Sequence, residues 1–176
     1  LSTHAVVLFQ LCSNLSLPKL KCYYKINYRL LNLMNKNFEA FLSRIKDENI
    51  VNIWRTHPGV KKKFFDNLYI KLSNIPKPRI VEFGVRHGTS TSMFLDICFL
   101  NNGKLYSVDC NDYSKKFNSA NWHFIRAFDT DFDFLLDKLP SKNDVIFLDT
   151  IHKAEHVLNI FKNYFHILKV GGYFII

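Results

Sequence analysis

Between residues 79 and 176, short apolar runs alternate with stretches of helical periodicity, and no other feature restricts the fold of this chain as tightly. The runs are RIVEFGV (79–85), KLYSVDC (104–110), NWHFIRAF (121–128), DVIFLDT (144–150) and GGYFII (171–176). Helical patterns fall between them at STSMFLDICFLN (90–101), DFDFLLDKLP (131–140) and HKAEHVLNIFKNYFHILK (152–169). The last carries Val157, Ile160, Phe161, Tyr164 and Leu168 on one face. Strands that are apolar on both sides and separated by helices imply a mostly parallel sheet covered on both faces. The expected fold class is therefore α/β, doubly wound, with its last strands missing because the chain stops within GGYFII.

Ahead of this region the pattern is purely helical. Phe38, Phe41, Leu42, Ile45, Ile50, Ile53 and Trp54 predict a helix over 37–55, and a second fits 60–73, ended by the prolines of SNIPKPR. Residues 1–33 contain no Asp or Glu, and the chain starts at Leu1. The expected organisation is a leader of uncertain status at 1–33, a helical segment at 34–78, and an incomplete α/β domain at 79–176.

Charge separates the same regions. Residues 1–79 hold 14 Lys and Arg against 4 Asp and Glu, whereas residues 80–176 hold 10 against 11. The basic excess thus lies outside the α/β region. VKKKFF (60–65) is the nearest thing to a nucleic-acid groove, and a solvated helix end is the preferred reading. Cys12, Cys22, Cys98 and Cys110 show no paired spacing, which points to free thiols in a reducing, cytoplasmic compartment. No run approaches the ~18 apolar residues of a membrane span.

In doubly wound sheets ligands bind outside the carboxyl ends of the strands. Those ends are polar in succession here: Glu82 and Gly84, then Asp109, then Asp129, then Asp149 with His152 three residues on. Gly84 and Gly88 permit close backbone approach, and the helix start beyond them presents unpaired N–H donors. Asp109 is placed to accept from ribose hydroxyls. A dinucleotide site wants G-x-G-x-x-G, but Arg86 stands at the middle glycine, which suits a ligand without pyrophosphate and disfavours a nicotinamide-dependent oxidoreductase.

VEFGVRHGTS, YSVDC and DVIFLDTIHKAEHVLNIFKNYFHILKVGGYFII resemble class I S-adenosylmethionine-dependent methyltransferases, whose fold is Rossmann-like. The resemblance covers residues 80 to 176 and is greatest to small-molecule O-methyltransferases and cephalosporin-hydroxylase-like proteins. It implies that Glu82, Gly84, Val85, Gly88 and Ser90 form the loop that holds the methionine part of S-adenosyl-L-methionine. Asp109 would bind the ribose, Asp129 would lie near the adenine, and Asp149 would complete the cofactor site. In metal-dependent relatives the Asp of D-x-x-H binds Mg²⁺ and the His is the general base; here these are Asp149 and His152. The implied partner is a small-molecule or sugar hydroxyl acceptor, with neither a membrane nor nucleic acid, and with homo-oligomerisation left open. Ala154 stands where many relatives carry an aromatic, and the acidic pair that completes the metal shell would fall beyond Ile176.

Three alternatives stay open. Asp149 could cap the following helix while His152 lies on the surface. His152-Lys-Ala-Glu155-His156 also matches the H-x-x-E-H zinc signature, although residues 157–176 offer no carboxylate as a third ligand. The sheet could also survive as an inert binding or scaffold domain.

Overall fold

The computed structural model describes residues 8–10 and 37–176. The single helix expected over 37–55 is two: residues 37–42 are helical (α1), and α2 spans Glu48–Thr56. Asp47 makes the break. Its backbone is extended, and its carboxylate accepts the Asn49 and Ile50 amides at 2.9 and 3.4 Å, as an N-cap does. A third helix, α3, runs unbroken through Pro58–Val60, Lys61–Tyr69 and Ile70–Leu72, with its middle part wound as a π-helix. Phe64 and Phe65 of VKKKFF are buried, so the rings that a nucleic-acid groove would offer to bases belong to the core.

Among the described residues six strands make one sheet in the order β1-β6-β5-β2-β3-β4. They are β1 (Leu8–Gln10), β2 (Arg79–Phe83), β3 (Lys104–Asp109), β4 (Trp122–Arg126), β5 (Asn143–Leu148) and β6 (Leu168–Ile175). β2 to β6 are parallel, as the sequence pattern requires. β1 runs antiparallel along β6, with Leu8 opposite Ile175, so part of the supposed leader is an edge strand. The rest of residues 1–33, with Cys12 and Cys22, lies outside the described residues.

Helices α4 (Thr89–Leu100), α5 (Phe132–Lys138) and α6 (Ala154–Tyr164) connect the strands. The helix expected to reach residue 169 stops earlier: α6 tightens into a 3₁₀ turn at Phe165–Ile167, and β6 begins at Leu168. Leu168 is therefore a strand residue and not part of the helical stripe. On β5 the step from Asn143 to Val145 faces Leu168 to Tyr173 on β6, so the two glycines there bulge out of the ladder.

Side chains alternate across the sheet with period two. Ile80, Leu105, Val145 and Phe147 pack with Phe38, Phe41, Trp54, Phe65 and Leu68 of the N-terminal helices and with Met93, Phe94 and Ile97 of α4. Val81, Phe83, Val108, Ile146 and Leu148 pack on the other face with Leu135 of α5 and with Ile160 and Tyr164 of α6. Both faces are thus covered. The N-terminal helices and α4 share one of them, and no helix among the described residues is long and apolar enough to cross a membrane.

Candidate functional site

The carboxyl ends of β2, β3, β4 and β5 converge on the turn that follows β2. Gly84 adopts φ +98°, and a Cβ added there would lie 2.5 Å from the Asp149 carbonyl oxygen and 3.4 Å from Thr150 Cγ2. Only glycine allows the tip of β5 to pass so close. Gly88, at φ +79°, starts α4 in the left-handed region. The first helical bond runs from the Ser92 amide to the Gly88 carbonyl, so the amides of Thr89, Ser90 and Thr91 form the open end of α4. Lys116 and Phe117 from the β3–β4 connection lie over Gly88.

Asp109 joins this turn from β3. Its Oδ2 accepts the Val85 amide at 2.9 Å and the Arg86 amide at 3.4 Å, while Oδ1 accepts the Asn111 amide at 2.9 Å. The carboxylate is thus on the same side as the glycine turn.

Glu82 lies beneath the turn. It has no solvent exposure, and its oxygens accept from Ser90 Oγ at 2.6 Å, Ser107 Oγ at 2.7 Å and Thr91 Oγ1 at 2.9 Å. Trp122 Nε1 in turn donates to Ser107 Oγ at 3.0 Å. Burial raises the Glu82 carboxyl from its ordinary value to about 7, against the lowering effect of those hydroxyls. Glu82 and Ser90, both assigned by resemblance to the cofactor loop, are bonded to one another, and Glu82 ties β2 and β3 to the first turn of α4.

Asp129 follows β4. Its Oδ2 accepts from Thr150 Oγ1 at 2.6 Å and lies 2.8 Å from His156 Nε2. Its backbone carbonyl accepts from Tyr164 OH at 2.9 Å. Asp149 and His152 are brought together on the exposed lip of the site, with Oδ1 and Nε2 3.1 Å apart. Lys153, not Asp149, stands at the N-cap of α6, and it makes no side-chain cap. The two histidines of H-x-x-E-H are divided between different aspartates, and no group of three His, Cys, Asp or Glu that could hold a metal ion occurs among the described residues. Asp149 offers a carboxylate oxygen of the kind that Mg²⁺ takes.

Thr150 and Ser107 were not singled out by the sequence pattern, and His156 entered only through the H-x-x-E-H match. A hydroxyl directly opposite Glu82 in the β2–β3 register was the available signal for Ser107. Nothing in the spacing links His156 to Asp129, which lies 27 positions earlier.

A methyltransferase-domain family matches residues 81–176, more than half of the chain. The chain belongs to this family. No curated protein matches the methyltransferase in sequence. Among solved structures, a Staphylococcus aureus protein assigned as a caffeoyl-CoA O-methyltransferase is 18% identical, with 80% of this chain and 71% of that one covered and a TM-score of 0.51. The methyltransferase PaMTH1 of Podospora anserina, solved with S-adenosylhomocysteine, is 15% identical over 88% of this chain and 72% of its own, with a TM-score of 0.49. A chain of a fibrillarin/Nop5p complex is 18% identical over 57% of this chain, with a TM-score of 0.44. The methyltransferase described here spans about half the length of that chain, 52%. At such identities the first of these likenesses is one of fold: a Rossmann-like α/β sheet with helices on both faces.

Proposed function

We propose that this methyltransferase uses S-adenosyl-L-methionine and methylates a hydroxyl oxygen of a small molecule or sugar. The observation that carries the reading is the bond from the Val85 amide to Asp109, which joins the glycine turn and the neighbouring strand tip into one pocket. The pocket supplies what an adenosyl amino acid needs. The open amides of α4 suit the amino-acid carboxylate. Asp109 is available to the ribose, and Asp129 Oδ1 has no hydrogen-bond partner among the described residues and is open to the adenine amino group. Phe128, 63% exposed, and Ile151, 52% exposed, flank Asp129 and Thr150 and offer apolar surface to a base or to an aromatic acceptor.

When bound, the cofactor supplies a methyl group on a sulfonium, whose carbon–sulfur pair returns to sulfur as the new carbon–oxygen bond forms. The chain's part is to align the two reactants and take the acceptor's proton. His152 is the group in reach of that proton. Asp149 holds its ring by the 3.1 Å contact.

The test is calorimetric titration with S-adenosylhomocysteine, followed by transfer of labelled methyl to a panel of catechols, phenols and sugars. Micromolar binding and methylated oxygen product are expected. A folded protein that binds no S-adenosylhomocysteine overturns the reading. Binding without transfer to any acceptor reduces it to a binding domain.

A further inference from the structure

The Asp129 carboxylate is held asymmetrically. A carboxylate has only lone pairs to offer, so Thr150 Oγ1 and His156 Nε2 are both donors, at 2.6 and 2.8 Å, and both reach the same oxygen, Oδ2. The group is well shielded: the Asp129 and His156 side chains are 12% and 14% exposed. The three residues come from three places, the β4–α5 connection, the β5–α6 connection and the first turn of α6. Thr150 also packs on the glycine turn, because its Cγ2 lies 3.4 Å from where a Gly84 Cβ would be. The carboxylate is therefore anchored beside the glycine turn, with its rotation stopped by two donors and its second oxygen without a partner among the described residues.

We propose that Thr150 and His156 are positioning residues for nucleobase selection. They lock the Asp129 side chain so that Oδ1 meets the 6-amino group of adenine and rejects a base with a 6-oxo group. This rests on the reading of the pocket as an S-adenosylmethionine site and adds how the base is chosen. A free carboxylate can turn either oxygen, or neither, towards a ligand. One fixed at Oδ2 presents a single acceptor in a fixed direction and, in a shielded site, is left facing another acceptor when the 6-position carries oxygen. His156 also adds a donor on Oδ2 without occupying the ligand's side.

The experiment compares S-adenosylhomocysteine with S-inosylhomocysteine, which differ at the 6-position, by calorimetry on the parent, His156→Ala and Thr150→Val. The parent should prefer the adenosyl compound by about ten- to a hundredfold. Each variant should lose most of that preference through weaker adenosyl binding, while affinity for the inosyl compound stays level. Thr150→Val keeps the side-chain shape and decides the matter if His156→Ala does not fold. Equal weakening of both compounds makes the two residues merely structural and overturns the proposal, as does an unchanged preference. A folded parent that binds neither compound overturns the cofactor reading itself, and this proposal falls with it.

Discussion

Asp109 Oδ2 accepts the Val85 amide N–H at 2.9 Å, so the last residue of β3 is bonded to the turn that leaves β2. A carboxylate so placed fixes the turn, and in the proposed function it also accepts from the ligand. Asp109→Asn replaces one acceptor oxygen by a donor and should weaken S-adenosylhomocysteine about tenfold, with Asp109→Ala costing more. Titration of both against the parent checks this. An unchanged dissociation constant for Asp109→Ala would remove the residue from the cofactor site.

Glu82 makes stability depend on pH. Its carboxyl rises from 4.5 to about 7 on folding because burial disfavours the charged form. The folded chain therefore holds this proton more tightly than the unfolded one. The stabilisation is complete below 4.5 and is lost as pH rises through about 7, on the order of 3 kcal/mol in all. Glu82→Gln keeps the shape without the charge, so its melting temperature should fall less between about pH 5 and about pH 8 than the parent's. Parallel melting curves would show that Glu82 does not titrate as its burial requires.

Methyl transfer itself should depend on His152. His152→Ala is expected to lower kcat by about 10²–10⁴ while leaving S-adenosylhomocysteine affinity unchanged, since the ring lies on the exposed lip beside Asp149. Single-turnover rates and titration of the same sample separate the two effects. Equal loss of rate and affinity would assign His152 to structure.

The N-terminal helices are pinned to α4 by charge. Arg44 donates to both oxygens of Asp96, and Tyr69 OH donates to Oδ2 at 2.6 Å. Asp96 is buried, and its hydrogen bond raises the Arg44 guanidinium above its ordinary value. Asp96→Ala leaves two donors facing a gap and should cost about 3 kcal/mol in urea unfolding. Arg44→Ala leaves the buried Asp96 carboxylate to Tyr69 and should cost about as much.

The glycine turn tolerates little. Gly84→Ala places a methyl 2.5 Å from the Asp149 carbonyl oxygen at φ +98°. A loss of more than about 1 kcal/mol, together with weakened cofactor binding, is expected from thermal melts and titration.

Much of this was legible in the sequence, and the reason is period. Runs such as Val145–Leu148 are apolar at every position, which only a strand buried on two faces requires, so the five parallel strands and their polar tips could be placed. The pairing of Asp109 with the turn followed from sheet geometry. What stayed hidden depends on tertiary contact. Asp47 reads as one more polar residue in a helical pattern until its carboxylate is seen to accept two amides. Glu82 reads as a ligand residue, whereas three hydroxyls from α4 and β3 take up its oxygens. His156 matched a zinc signature and instead serves Asp129, a contact that no local spacing encodes. The strand at Leu8–Gln10 is too short to carry a period at all.

Nine consecutive residues of α4, Ser90 to Cys98, are buried, and this has a bearing on where the protein can be cut. One side of that helix answers to β2 and β3, the other to Trp54, whose indole N–H donates to Ser92, and to Arg44. Family likeness starts at residue 81, but the unit that must be expressed together starts at least as early as Phe38. A recombinant piece trimmed to the homologous stretch would lay Met93, Phe94 and Ile97 bare to solvent and should be recovered as insoluble aggregate.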